Sequence, residues 1–94
     1  MAFRVVAFHP KPAHHEEMVR RVADAAAVIR ELAGCIDVDY WLDEASSAVV
    51  STAKFDSKDD WLAAFDAVDA AGVDFAFDER ELRPREIYNL VEAR

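Results

Sequence analysis

Cysteine occurs once in these 94 residues, glycine twice and proline three times, and 11 lysines and arginines face 19 acidic residues. Each scarcity excludes something. A single thiol, Cys35, has no partner for an internal disulfide, so the expected compartment is a reducing one, the cytoplasm. A net charge of −8 has the wrong sign for nucleic acid, where basic side chains displace counterions from phosphates. It is equally wrong for an anionic membrane surface. No apolar run approaches the roughly 20 residues needed to cross a bilayer, and no basic stretch followed by an apolar core suggests a leader. Glycine-rich phosphate loops, metal-ligand spacings and nucleophile elbows are missing too, which leaves kinase, Rossmann and hydrolase chemistry without support. No internal repeat, low-complexity tract or linker breaks the chain.

What is present is apolar side chain: 53% hydrophobic and 11% aromatic residues predict one folded domain spanning residues 1–94. Much of that fraction is alanine, which favours helix but buries little area. The organising stretch is Phe3-Arg4-Val5-Val6-Ala7-Phe8, stopped by Pro10 and Pro12. As a strand it turns Phe3, Val5 and Ala7 to one side and Val6 and Phe8 to the other, so both faces of its sheet need cover.

Helical spacing begins near Ala13 and runs to about Ala33, with Met18, Val22, Ala25, Ile29 and Leu32 on one stripe. Glu16 and Glu17 open it and Arg30 closes it, as the helix dipole favours. Gly34 is expected as a left-handed stop. Cys35 to Leu42 alternates, placing Ile36, Val38, Tyr40 and Leu42 opposite Cys35, Asp37, Asp39 and Trp41. A polar turn leads to a strand over Ala48 to Phe55. Ser57 caps a second helix with Asp60 three residues on, a stripe of Trp61, Phe65 and Val68, and Gly72 as its end. The stretch 73–83 reads either as short helix or as packed loop. Glu86 to Glu92 is a final strand, with Ile87, Asn89 and Val91 opposite Tyr88 and Leu90. The order strand, helix, strand, strand, helix, strand gives an α+β fold. It is a ferredoxin-like βαββαβ protomer, a four-stranded antiparallel sheet with both helices on one face. One chain therefore lacks helices for the second face, and a second copy is expected to cover it, making a homodimer.

Several side chains are candidates for chemistry. His9, His14 and His15 are the only histidines. His14 and His15, about 100° apart on a helix start, do not chelate one ion together and are expected in solvent. His9 follows a central strand and is a candidate for a pocket or a plain turn residue. Asp37 and Asp39, about 7 Å apart on one side of a strand, suit edge protection better than acid–base work, and no third cation ligand accompanies them. Cys35 lacks the setting of a nucleophile. Tyr40, Trp61, Phe65 and Tyr88, with Asn89, are either core or the lining of a cavity for a flat apolar molecule. His9, Tyr40, Trp61, Phe65, Tyr88 and Asn89 thus form the candidate pocket set, with no metal.

The first strand ending His9-Pro10-Lys11-Pro12, the long helix ending Ala33-Gly34-Cys35, the hairpin and the second helix entered through Phe55-Asp56-Ser57 together resemble the dimeric α/β-barrel superfamily. More narrowly, the chain resembles antibiotic-biosynthesis-monooxygenase-like domains. The resemblance implies protomers paired into a barrel, each with a pocket between helices and sheet. Some members oxidise polyketide-like aromatics without metal or flavin, and others bind or degrade haem. This chain has Phe55 where the family often has tryptophan, and Ala64 and Phe65 where a helix histidine is common. Residues Arg4 to Phe8 lack the asparagine of haem-degrading members, so haem degradation is not expected. The expected function is binding of a small apolar or aromatic molecule between helices and sheet, with cofactor-independent monooxygenase-like activity as the catalytic form of that reading. A non-catalytic metabolite-binding or regulatory domain, or a structural dimerisation module, is the alternative.

Overall fold

Alternation along the first strand decides the layers. In the computed structural model, which describes residues 1–93, β1 (Ala2–Phe8) buries Ala2, Val6 and Phe8 under the helices. Phe3, Val5 and Ala7 project the other way and stay half-buried. β1 pairs antiparallel with β3 (Val49–Phe55) and β4 (Glu86–Val91), and β2 (Cys35–Leu42) pairs with β3. The order β2-β3-β1-β4 puts the two most buried strands inside and the strand carrying Asp37 and Asp39 at an edge. This is the ferredoxin-like βαββαβ architecture expected above.

A 3-10 turn, Pro12–His14, precedes α1 (His15–Arg30). The helix starts two residues later than its spacing predicts because Pro12, with φ fixed and no N–H, heads that turn first. Met18, Val22, Ala25 and Ala26 form its buried face. α2 (Lys58–Ala70) is capped by Ser57, whose Oγ accepts the Asp60 N–H at 3.3 Å and donates to the Asp60 carboxylate at 2.9 Å. Gly72, at φ +78°, ends the second helix in the left-handed region. Gly34 does not follow the expected left-handed form, since Gly72 is the one positive-φ residue among those described. Its role is space: a β-carbon at Gly34 would collide with the Asp60 side chain.

β2 also departs from simple alternation. A bulge between Cys35 and Asp37 sets Cys35 opposite Phe55 and Asp37 opposite Lys54. Cys35 therefore packs against the core, where burial, followed by the Asp37 charge, raises its pKa and keeps the thiol protonated. Stretch 73–83 is the packed loop, not a helix. Phe75 stacks on Phe8 with ring centroids 5.4 Å apart. The Leu82 N–H donates to the His9 carbonyl at 2.7 Å, and Arg80 ties Asp74, Asp78 and Glu17 of α1 into one clasp. Among the described residues no helix is long and apolar enough to cross a membrane.

The buried side chains fall into two groups rather than one. Ala2, Val38, Ala53, Phe55, Trp61 and Ala64 form the first, with Ala26. Val6, Phe8, Met18, Val22 and Val49 form the second. Between them the helix faces offer alanine, and alanine is too short to fill the gap.

Candidate functional site

That gap is a cavity of about 490 Å³, bounded below by the sheet and above by α1 and α2. Its walls come from both core groups, with Val6, Phe8 and Val22 at one end and Phe55, Trp61 and Ala64 at the other. The loop 73–83 closes one side with Val73 and Phe75. On β4, Ile87 and Asn89 share the helix side yet remain exposed. Such a volume suits a drug-sized ligand, and the walls are apolar with a few polar groups, as ligand sites usually are.

Four charged side chains stand on the lining: Arg4, Arg85, Asp69 and Asp74. Arg4 occupies the helix side of β1, between Ala2 and Val6, in a strand position where an aliphatic residue would be expected. Its guanidinium carbon lies 3.9 Å from the Phe65 ring centroid and 5.6 Å from that of Trp61, a cation–π arrangement. Its Nη1 donates to Asn89 Oδ1 at 2.9 Å, and burial lowers its pKa to about 10. Arg85, over the Phe8 ring at 4.9 Å, is instead paired with the buried Glu81 carboxylate at 2.6 Å. Asp74 is held below the usual carboxylate range by the Ala76 N–H and then by Arg80.

Trp61 is 7% exposed, and its Nε1–H is buried with no hydrogen-bond partner among the described residues. Leaving such a donor unpaired is costly, and the nitrogen is too deeply buried for a water molecule to reach it from the cavity. A haem would find no axial ligand here, because the described lining contains no His, Cys, Met or Tyr.

Of the residues singled out from sequence, Trp61 and Phe65 line the cavity and meet edge-on, 5.5 Å between centroids. Asn89 reaches it through Arg4. His9 and Tyr88 are brought together elsewhere, at Glu86, by contacts of 2.8 Å and 3.4 Å. Tyr88 lies on the helix-free side because it is opposite Val5, while Asn89 is opposite Arg4. Tyr40 sits exposed on the outer strand β2. Arg4 is the residue that sequence reasoning missed. Its signal was present: strand parity puts it with Val6 and Phe8, and a charge there demands an explanation.

A ferredoxin-like domain hollowed between helices and sheet is the fold class these residues define. The model of the antibiotic biosynthesis monooxygenase family matches residues 1–70, and the chain belongs to that family. Comparison with curated proteins returns no match. Among solved structures, the chain is similar to PA3566 from Pseudomonas aeruginosa at 17% identity and a TM-score of 0.79, covering 99% of this chain and 94% of that one. It is similar to Rv0793 from Mycobacterium tuberculosis at 18% and 0.72, covering 100% and 97%. A third likeness is to SnoaB, a cofactor-independent oxygenase from Streptomyces nogalater, at 16% and 0.73, covering 99% and 93%.

Proposed function

We propose that the protein is a homodimer that binds a small, flat, apolar or aromatic molecule in the cavity and oxygenates it with dioxygen, without a bound cofactor. The cavity itself carries the reading, because it joins apolar and aromatic walls to the Arg4 cation. Oxygenation without a cofactor needs a substrate that becomes its own electron donor. Loss of a proton from an activated CH2 gives a carbanion that dioxygen oxidises. Overall, CH2 and O2 become C=O and H2O. The site's task is to exclude water and stabilise the substrate anion by fixed donors. Arg4, held by Asn89, is such a donor. Family membership and the likeness to a cofactor-independent oxygenase support the same reading.

The dimer rests on the helix-free face, where Phe3, Val5 and Val50 are flanked by Tyr88 and Leu90, 51% and 46% exposed. A contiguous apolar patch of that kind marks an interface.

An oxygen electrode tests the activity with anthrones and quinols as substrates. Consumption should fall about tenfold in Arg4→Gln, which removes the cationic donor, and should also fall in Asn89→Ala, which frees the guanidinium. Binding without oxygen uptake for every such substrate would overturn the enzyme and leave the second reading, a non-catalytic binding domain. That reading is favoured by the makeup of the described lining, whose titratable groups are two arginines and two aspartates.

A further inference from the structure

We infer that the ligand carries an acid group held by Arg4, so that the cavity takes flat aromatic carboxylates in preference to neutral aromatics of the same shape. The inference rests on the reading of the cavity as a ligand site and adds the chemical class of what enters it. Among the four charges on the lining, two are already answered: Arg85 by Glu81 at 2.6 Å, and Asp74 by Arg80 at 3.0 Å. Arg4 has a neutral partner only, the Asn89 amide, and among the described residues it forms no ion pair. A half-buried cation without a counter-charge is costly to keep in an apolar wall, and an aliphatic side chain would fill the same strand position without that cost.

Geometry says which counter-charge fits. The guanidinium lies over the Phe65 ring, and Asn89 takes Nη1, so two contacts fix the group's position before any ligand arrives. Of its five N–H donors, the hydrogen bond to Asn89 uses one. The donors left over lie in the guanidinium plane, where a planar carboxylate takes two parallel hydrogen bonds. The acid's aromatic body then lies along the apolar walls beside Trp61 and Val22. Long-range charge does not help an anion here, since the chain carries −8. Asp69, one turn beyond Phe65 on the same lining, also repels it. Selection for an acid must therefore come from the local contact with Arg4.

Isothermal titration calorimetry with 2-naphthoate and its neutral isostere 2-naphthamide tests this. The wild-type protein should bind naphthoate about tenfold more tightly, and Arg4→Gln should bring the two probes within about twofold by weakening naphthoate alone. Equal affinities in the wild type, or a preference that survives Arg4→Gln, would overturn the inference while leaving the cavity as a binding site. Binding of neither probe to the folded protein would overturn both. Circular dichroism checks folding. Should Arg4→Gln not fold, Arg4→Lys replaces it, keeping the charge without the planar fork. It should weaken naphthoate about threefold and leave naphthamide unchanged, and an unchanged naphthoate affinity would overturn the forked contact.

Discussion

The two faces of the sheet are built from the same strands and fail to close in opposite ways. On the helix side Ala2, Val6 and Phe8 are at most 7% exposed, yet the layer above them is hollow. On the other side Phe3, Val5 and Ala7 form a continuous apolar strip with nothing above it. The difference is one of side-chain size against area. Ala25 on α1 and Ala64 on α2 face Ala53 on β3, so the cover is present but its residues are short. The helix-free face has large side chains, Tyr88, Leu90 and Trp41 among them, and lacks a layer. A hollow invites a small molecule, whereas a bare strip invites another protein surface.

Adjacent residues of β1 separate the two faces most strongly. Val6→Asp places a carboxylate in the core beside Phe8 and Met18 and should cost about 3–5 kcal/mol, enough to unfold a domain of ordinary stability. Val5→Asp, one residue away on the other face, should leave the helical circular dichroism intact and halve the mass seen by light scattering. If Val5→Asp keeps the mass of two chains, the helix-free strip is not the interface. Next in size is filling the hollow. Ala64, 5% exposed on the lining, becomes leucine in Ala64→Leu. The longer chain should abolish naphthoate binding in calorimetry while raising the melting temperature, by burial worth about 1 kcal/mol. A destabilised variant would mean that the space is narrower than its volume suggests.

Much of the architecture was legible because alternation and helical spacing are strong local signals. β1 parity, the Ser57 cap and the element order all follow from residues near one another in the chain. Gly34 is not left-handed, and what does call for glycine there, crowding by Asp60 26 positions away, is tertiary and invisible in the local sequence. The β2 pattern misplaced Cys35 because a bulge adds one residue and flips its side. The pocket set mixed the two faces: Tyr88 and Asn89 are neighbours in a strand and point opposite ways, so one cavity does not receive both. Arg4 went unread since a lone basic residue in an apolar strand looks like noise until Phe65, 61 positions on, is seen beneath it.

The smallest expected effect concerns what keeps the hollow closed at its loop side. Arg80 hydrogen-bonds Asp78 and lowers its pKa from 3.8 to about 2, and it pulls Glu17 down in the same direction. Between pH about 4 and about 2 the unfolded Asp78 takes up a proton that the folded one refuses, so stability conferred by the clasp is fully present above this window and is lost as pH falls through it. Melting temperatures measured from pH 5 down to pH 2 should drop, and Arg80→Met should flatten part of the drop. Another part should survive in Arg80→Met, because Asp43 is lowered independently by the Ser46 hydroxyl and the Ala45 N–H. Full retention of the drop in Arg80→Met would mean that the clasp contributes nothing to folding. The same variant should also loosen ligand binding, since Phe75 and Val73 wall the cavity only while the loop is held against α1. A melting curve that flattens with unchanged naphthoate affinity would separate the clasp's contribution to stability from any part in shaping the hollow.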